Sequence, residues 1–357
     1  MKSDKKRVFY FDLLRMIACF CVVMLHVVAY LVTTKSIHSA DFWIGNIFSS
    51  ITRVGVPIFV MISGTLFLNE AYNCTFKKMA KHIIRLLVFY IVWSLIYALT
   101  FQVIIPAINK VQIDGLLFWL TFRDSYYHLW FIPMIIGLYL ITPLLRLWVK
   151  KENIKYVHYF LLLCLIFAFV IPQSVNIVSW FWPQAASDVS VILNKIKVYY
   201  VLGMISYYVL GWHLSEFDIK NKLVVYIAGG LCFLITIFGT IGASYYKETP
   251  ATLFYETETI NVLGSSIMIF VLVKTCVKEK ENESIGRKII SLITGVSLGI
   301  YAVHAAILQI LHTNLDGYIV NWNAFAYIGA FFSIIAVSSF AISIAFKWIP
   351  FINKIFN

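Results

Sequence analysis

The segment VFYFDLLRMIACFCVVMLHVVAYLV, residues 8–32, decides how this chain folds. It is apolar almost throughout, and its only charged or imidazole side chains belong to Asp12, Arg15 and His26. At a rise of about 1.5 Å per residue, a helix of this length crosses the roughly 30 Å hydrocarbon core of a bilayer. The segment therefore predicts a transmembrane helix that carries buried polar groups.

The composition of the whole chain extends this prediction. Of its 357 residues, 61% are hydrophobic and only 13% are charged, and its mean hydropathy is +0.84. Soluble domains average about 45–50% apolar and about 25% charged residues. We therefore predict an all-α, polytopic membrane protein, with residues 1–357 forming a single transmembrane domain in the lipid bilayer.

Apolar windows of roughly 18–25 residues predict about ten transmembrane helices. Most of the 29 Lys and Arg residues fall in alternate connecting segments, beginning with an N-terminal cluster. The positive-inside rule then places both termini in the cytoplasm. Topology thereby explains the net charge of +12, and no nucleic-acid partner is expected. The predicted spans are residues 8–32, 42–68, 82–105, 129–148, 155–172, 197–214, 223–245, 258–276, 289–311 and 325–347.

The second predicted span is interrupted by the sequence Arg53-Val54-Gly55-Val56-Pro57. Proline removes a backbone donor and kinks a helix, and irregular backbone within a membrane lines cavities. We therefore expect this span to break beside a cavity. The six cysteines form neither a C-x-x-C pair nor an extracellular framework, so disulfides and structural zinc are not expected.

Arg15 and His26 are the strongest functional candidates, because ionisable groups inside a membrane are functional by default. Eleven helical steps bring both side chains within roughly 20° of one direction, separated by roughly 16 Å along the axis. A guanidinium suits anionic groups entering from the cytosol. A neutral imidazole suits a general base acting on a hydroxyl or amine. The alternatives are an Asp12–Arg15 ion pair, a snorkelling Arg15, and a His26 that only bonds across helices.

His304 lies in the outer half of the ninth predicted span, at roughly the depth of His26. The two imidazoles could share a site, or His304 could make a contact between helices. The sequence Gly295-Val296-Ser297-Leu298-Gly299 matches the G-x-S-x-G nucleophile pattern. We place it within an apolar helix, where its glycines favour close helix packing and Ser297 is not a nucleophile. Too few ligands occur at usable spacing for zinc, so no metal is expected.

Other polar groups each have a functional and an ordinary interpretation. Arg53 is buried by the predicted topology. Residues 81–85 lie at an inner mouth, where a basic cluster also satisfies the positive-inside rule. His128 opens the fourth span beside aromatic residues of the kind that anchor helices at the outer surface. Glu256 and Glu258 are either solvated loop carboxylates or groups that orient a catalytic imidazole or bind an amine.

Five motifs in order, together with ten spans, resemble the integral-membrane acyltransferase 3 family. One of them is the R-x10-H spacing that joins Arg15 to His26, and the set runs through nearly the whole chain. The motifs are Asp12-Leu13-Leu14-Arg15 with His26, Val56 to Gly64, Lys77 to Arg85, His128-Leu129-Trp130-Phe131, and Ser297 to His304.

The resemblance implies transfer of an acyl group, commonly acetyl, from cytosolic acyl-CoA (acetyl-CoA) as co-substrate to an extracytoplasmic acceptor at the outer face of a bacterial plasma membrane. Arg15 corresponds by position to the coenzyme-A phosphate contact, and His26 to the catalytic histidine. The family's R-x-x-R-type motif is imperfect here, because Lys78 and Lys81 have its spacing with lysines, while Arg85 is one residue further on. The further candidates are Arg53, Lys78, Lys81 and Arg85 for the donor, and His128, Glu256, Glu258, Tyr301 and His304 for the acceptor.

The chain is also similar to the membrane half of the vancomycin-resistance membrane-bound serine racemases, a comparable ten-span unit associated with serine uptake. The stretch 53–57 and the inner C-terminus fit that subgroup, and they also fit stand-alone acyltransferases. The alternative function is therefore uptake of a small amino acid such as L-serine. In that case a cytoplasmic racemase domain would follow Asn357.

Overall fold

The computed structural model describes residues 8–72, 74–104, 126–196, 202–277 and 284–349. Within these ranges the chain is helical and contains no β-strand. Two π-helical turns occur, at Ala98–Ile104 and at Leu165–Val170. The helices are α1 (Phe9–Thr34), α2 (Ala40–Thr52), α3 (Gly55–Leu68), α4 (Phe76–Tyr97), α5 (Phe131–Trp148), α6 (Ile154–Cys164), α7 (Ile171–Val178), α8 (Pro183–Ile196), α9 (Ile205–Glu216), α10 (Lys222–Lys247), α11 (Ile260–Cys276), α12 (Ile285–Thr294), α13 (Ser297–Ile319) and α14 (Ala324–Lys347).

Nine segments within the described ranges are long and apolar enough to cross a membrane. The predicted all-α, polytopic membrane fold is therefore confirmed. The sixth predicted span, 197–214, corresponds to α9, and residues 197–201 before it lie outside the described ranges. The nine segments are Phe9–Thr34, Ala40–Leu68, Phe76–Phe101, Phe131–Trp148, Lys151–Val178, Lys222–Lys247, Leu253–Cys276, Ser297–Ile319 and Ala324–Lys347.

Contacts between helix ends support the predicted alternation of upward and downward spans. On one side of the bundle, Lys35 Nζ donates to the Val320 carbonyl oxygen at 2.8 Å. On the opposite side, Asn69 Nδ2 donates to Glu216 Oε1 at 2.8 Å. The charge distribution predicts the first side to be outside and the second to be cytosolic. We call them the outer end and the inner end.

Two basic residues at the inner end also close helix termini. Arg146 Nη1 donates to the carbonyl oxygens of Phe67 and Asn69 at 2.7 and 2.8 Å, at the end of α3. Lys274 Nζ donates to the Leu214 carbonyl oxygen at 2.9 Å, near the end of α9. The last carbonyl groups of a helix have no partner within the helix and carry partial negative charge. These cations therefore stabilise the helix ends as well as setting the orientation.

The backbones of α3 and α9 touch at two glycines. A Cβ atom added to Gly64 would lie 1.8 Å from the Tyr208 carbonyl oxygen, and one added to Gly211 would lie 2.1 Å from that of Met61. Thr65 Oγ1 donates to the Gly211 carbonyl oxygen across the same contact at 2.8 Å. Close approach of this kind needs residues without side chains. The second half of α3 is therefore packed directly against α9.

The second predicted span breaks where the sequence indicates. α2 ends at Thr52 and α3 begins at Gly55, with Arg53 and Val54 between them. Pro57 lies in the first turn of α3, where backbone N–H groups have no helical partner in any case. The break therefore costs few hydrogen bonds, and it places Arg53 inside the bundle.

The ninth predicted span, 289–311, has different boundaries in the structure. Two helices, α12 and α13, meet at Gly295, so the prediction that residues 295–299 lie within one apolar helix is wrong. Ser284 caps α12 by accepting a hydrogen bond from the Arg287 backbone N–H at 3.3 Å. α12 carries cationic and hydroxyl side chains along its length. It ends at Thr294, before the apolar run of α13 begins.

Of the two glycines in this motif, Gly299 packs closely against another helix. A Cβ atom added there would lie 2.6 Å from Ser343 Oγ on α14. Gly295 instead ends α12, and its backbone N–H donates to the Ser291 carbonyl oxygen at 3.0 Å. The helix-packing interpretation therefore holds for one glycine, while the other turns the chain.

Candidate active site

A cavity of about 780 Å³ lies inside the bundle. It is lined by α1, α3, α4, α5 and α13, by the junction of α2 and α3, and by the segment before α11. These elements come from distant parts of the sequence, so tertiary packing creates the cavity. Most of the predicted site residues line it: Arg15, His26, Arg53, Arg85, His128, Glu256, Glu258 and Tyr301.

Arg15 and His26 both face this cavity, as their spacing on α1 predicts. Leu14 and Val27, which adjoin them in the sequence, are fully buried in the packed side of the helix. Asp12 Oδ1 lies 4.0 Å from Arg15 Nη1, so the ion pair considered from the sequence is present. The Arg15 side chain nevertheless retains 29% exposure, which leaves its guanidinium accessible from the cavity.

A smaller cavity of about 390 Å³ adjoins the first at its inner end. Arg15, Arg85 and Ser297 line both cavities, so the two form one passage. His82 and Lys347 add to the basic lining of the smaller one, which we call the inner vestibule. α13 also begins here, and the N-terminus of a helix favours anions. The inner vestibule is therefore suited to a ligand with several negative charges.

The motifs in the sequence do not single out His82 or Lys347. The sequence nevertheless contains an indication of each. His82 precedes Arg85 by three positions on α4, which puts both on one face. Lys347 is the basic last residue of α14. By contrast, Lys78 and Lys81 are exposed and line neither cavity. A role for these two lysines in donor binding stays a prediction.

His26, His128 and His304 form a cluster of rings at the middle of the passage. The ring centroids of His26 and His304 are 5.2 Å apart and stacked. Those of His128 and His304 are 5.1 Å apart, and those of His26 and His128 are 6.5 Å apart. The matching depth of His26 and His304 in the sequence thus corresponds to a direct ring contact. Among the described residues, no group of three His, Cys, Asp or Glu side chains is arranged to hold a metal ion.

The orientation of His304 fixes its tautomer. Its Nδ1 lies 3.1 Å from the Ile300 carbonyl oxygen and 2.8 Å from that of Tyr301. Since both neighbours only accept, Nδ1 carries the proton and Nε2 is left with a lone pair. His304 is fully buried behind His26 and does not line the cavity. It can hold the His26 ring in place, but it does not meet a ligand directly.

His128 is held from several sides. The Tyr301 hydroxyl donates to the His128 backbone carbonyl oxygen, and the Tyr97 ring meets the imidazole edge to face with centroids 5.2 Å apart. His128 is only 2% exposed, and neither ring nitrogen has a hydrogen-bond partner. Burial, followed by the nearby imidazoles, lowers the pKa of His128, which precedes the span formed by α5. Its ring is therefore neutral near pH 7.

The outer part of the cavity has a guanidinium, an aromatic ring and two carboxylates in its lining. The Arg53 guanidinium lies 4.1 Å from the centre of the Tyr255 ring, and Arg53 Nη2 donates to Ser49 Oγ at 3.1 Å. Glu256 and Glu258, which follow Tyr255 in the sequence, are exposed and line this part of the cavity. Arg53 thus lies beside the outer carboxylates, whereas Arg15 and Arg85 reach the inner vestibule.

The helical bundle and its histidine-lined cavity define a multi-pass membrane protein with an internal cavity. A family model described as an acyltransferase domain matches residues 8–347. The chain therefore belongs to the acyltransferase 3 family, and it is a membrane acyltransferase. No curated protein and no solved structure matches it significantly.

Proposed function

We propose that this protein transfers an acyl group, such as acetyl, from cytosolic acyl-CoA to a hydroxyl or amine acceptor at the outer face of the plasma membrane. The main support for this proposal is the position of Arg15 and His26. Arg15 and His26, roughly 16 Å apart along α1 by helical rise, line the same cavity, which extends to Glu256 and Glu258. A phosphate anchor and a proton acceptor are thus joined by one passage between the two ends of the bundle.

The residues that line the inner vestibule are suited to binding the phosphates of the donor. Planar guanidinium groups bind phosphate in a bidentate manner, and Arg15 and Arg85 both line this space. Lys347 and the N-terminus of α13 add positive potential, and His82 adds a further hydrogen-bonding group. With the phosphates held there, the extended pantetheine arm reaches along α1 towards His26. The exposed Lys78 attracts the polyanion towards this end of the bundle.

The chemistry requires one proton acceptor and no enzyme nucleophile. His26 takes a proton from the acceptor hydroxyl or amine as the acceptor atom attacks the thioester carbonyl carbon. The tetrahedral intermediate collapses, the C–S bond breaks, and the thiolate leaves and is protonated by the His26 imidazolium. Ser297 lines the inner vestibule as well as the main cavity, but this route gives it no covalent role.

Substitution of His26 by alanine tests this assignment. A general base contributes about 10²–10⁴-fold to a rate, so His26→Ala is expected to lower acyl transfer by that factor. Binding of acetyl-CoA is expected to remain, because the phosphates bind about half a bilayer away. Release of free coenzyme A by membrane vesicles carrying the protein measures turnover, and His158→Gln, an imidazole on α6 outside the cavity, is the control. Normal turnover by His26→Ala would refute the catalytic role.

Uptake of L-serine is a second candidate function, because the broken second span contributes to the cavity. Arg53 and Val56, at the junction of α2 and α3, are both lining residues, and discontinuous helices commonly form transporter sites. Uptake of labelled L-serine into proteoliposomes tests it. Uptake without any binding of acetyl-CoA would favour transport, whereas binding of acetyl-CoA without uptake would favour acyl transfer.

A further inference from the structure

His128 is the most unusual buried side chain in the described part of the chain. It is 2% exposed, both of its ring nitrogens are without a hydrogen-bond partner, and it lines the cavity. Buried polar groups are almost always paired, and each exception needs an explanation such as a ligand or a catalytic role. A buried, unpaired imidazole at a cavity wall therefore points to a group that arrives from the cavity.

The surroundings of His128 fix it in position. The Tyr301 hydroxyl holds its backbone carbonyl group, and the following residue, Leu129, is fully buried. The rings of Tyr97 and His304 pack against the imidazole at 5.2 and 5.1 Å between centroids. These contacts hold the ring without using its nitrogens. A donor fixed in this way before the reaction is what stabilises developing charge most effectively.

His128 and His26 are close enough to contact one bound intermediate. Their ring centroids are 6.5 Å apart, the planes are close to perpendicular, and both rings line the cavity. A base and an oxyanion donor each lie about 2.8 Å from the atoms that they contact. A tetrahedral intermediate held in the cavity beside the two rings is within reach of both imidazoles. The neutral state of His128 leaves it with one N–H to donate.

We propose that His128 is a catalytic residue that donates a hydrogen bond to the oxyanion of the tetrahedral intermediate. The inference rests on the acyl-transfer function proposed above. As the acceptor oxygen or nitrogen bonds to the carbonyl carbon, His26 takes its proton and the carbonyl electron pair moves onto oxygen. That oxygen accepts the hydrogen bond from His128. On collapse the double bond re-forms, the thiolate leaves, and the proton passes from His26 to sulfur, while His128 keeps its own proton throughout.

The test compares His128→Phe with His128→Gln. Phenylalanine keeps the aromatic packing with Tyr97 but cannot donate, whereas the glutamine amide can donate. Loss of one oxyanion donor typically costs about 10²–10³ in kcat, so His128→Phe is expected to lose that much, with its Kd for acetyl-CoA unchanged within about twofold. His128→Gln is expected to retain at least about tenfold more activity than His128→Phe, with the pH profile of wild type, because His26 sets that profile.

The assay is release of free coenzyme A from acetyl-CoA by membrane vesicles carrying each full-length variant. Thermal unfolding of the purified proteins checks that both variants fold, and His158→Gln is the matched imidazole control. Equal kcat in wild type and His128→Phe would overturn the role of His128 while leaving acyl transfer standing. Wild-type release no greater than that of His26→Ala would overturn the proposed function itself, and this inference with it.

Discussion

The Arg15 guanidinium lies near the Asp12 carboxylate and also faces the cavity. Its distance of 4.0 Å to Asp12 Oδ1 is long for a charge-assisted hydrogen bond, which is about 2.7–2.9 Å. Asp12 also accepts from Thr294 Oγ1 at 3.5 Å. The carboxylate thus orients the guanidinium and reduces the cost of burying it.

Lys347 provides a test of the inner vestibule at the level of one residue. It lies at the end of α14 and lines the vestibule with Arg15, and a lysine binds phosphate as a mobile point charge. We expect Lys347→Ala to raise the Kd for acetyl-CoA about threefold to tenfold, a modest effect because the group is only half-buried. Isothermal titration calorimetry measures it.

The control for Lys347 is Lys155→Ala, which removes an exposed lysine on α6 outside both cavities. Lys347→Arg is expected to bind acetyl-CoA as wild type does, since the charge remains. If Lys347→Ala and Lys155→Ala gave the same Kd, Lys347 would have no part in donor binding.

At the scale of helices, the contact of α3 with α9 fixes how closely these two helices pack. The reciprocal approach of Gly64 and Gly211 to backbone of the other helix leaves no room for a methyl group. This contact involves the second half of α3, whereas Arg53 lies beside Tyr255 just before α3 begins.

Substitution of Gly64 by alanine therefore has a clear expected effect. The added Cβ would lie 1.8 Å from the Tyr208 carbonyl oxygen, so the two helices must separate. Overpacking of this kind typically costs about 1–3 kcal/mol, and we expect a lower Tm in detergent. Gly137→Ala on α5, where a Cβ meets nothing within 4 Å, is the control and is expected to keep the wild-type Tm. Equal Tm values for the two variants would show that the α3–α9 contact does not stabilise the protein.

Parts of the site follow from the sequence because they lie within one element. The 3.6-residue period puts Arg15 and His26 on one face, and the depth of His304 in its span matches that of His26. The convergence of His82 and Lys347 depends on how α4 and α14 rotate about their axes, which packing between distant helices decides. The end of α12 at Gly295 likewise depends on tertiary packing, since its local sequence is also compatible with a continuous helix.

The side chains that line the passage change from cationic at the inner end to acidic at the outer end. Cationic groups of Arg15, Arg85 and Lys347 line the inner vestibule, the histidine cluster lies further along, and Glu256 and Glu258 line the outer part. The polyanionic donor that we propose would be attracted to the inner end, while the outer carboxylates would repel its phosphates. This gradient would hold the nucleotide portion on the cytosolic side while the acyl group advances to His26.

The role of Arg15 is tested most directly by binding of acetyl-CoA to purified wild type and Arg15→Ala, with acetyl-pantetheine, which lacks the phosphates, as the parallel ligand. We predict that wild type prefers acetyl-CoA, and that Arg15→Ala weakens acetyl-CoA binding about tenfold or more. Binding of acetyl-pantetheine should be the same in both proteins. Binding of acetyl-CoA that Arg15→Ala leaves unchanged, or a wild type that does not distinguish the two ligands, would contradict the claim that Arg15 anchors the phosphates of a cytosolic donor.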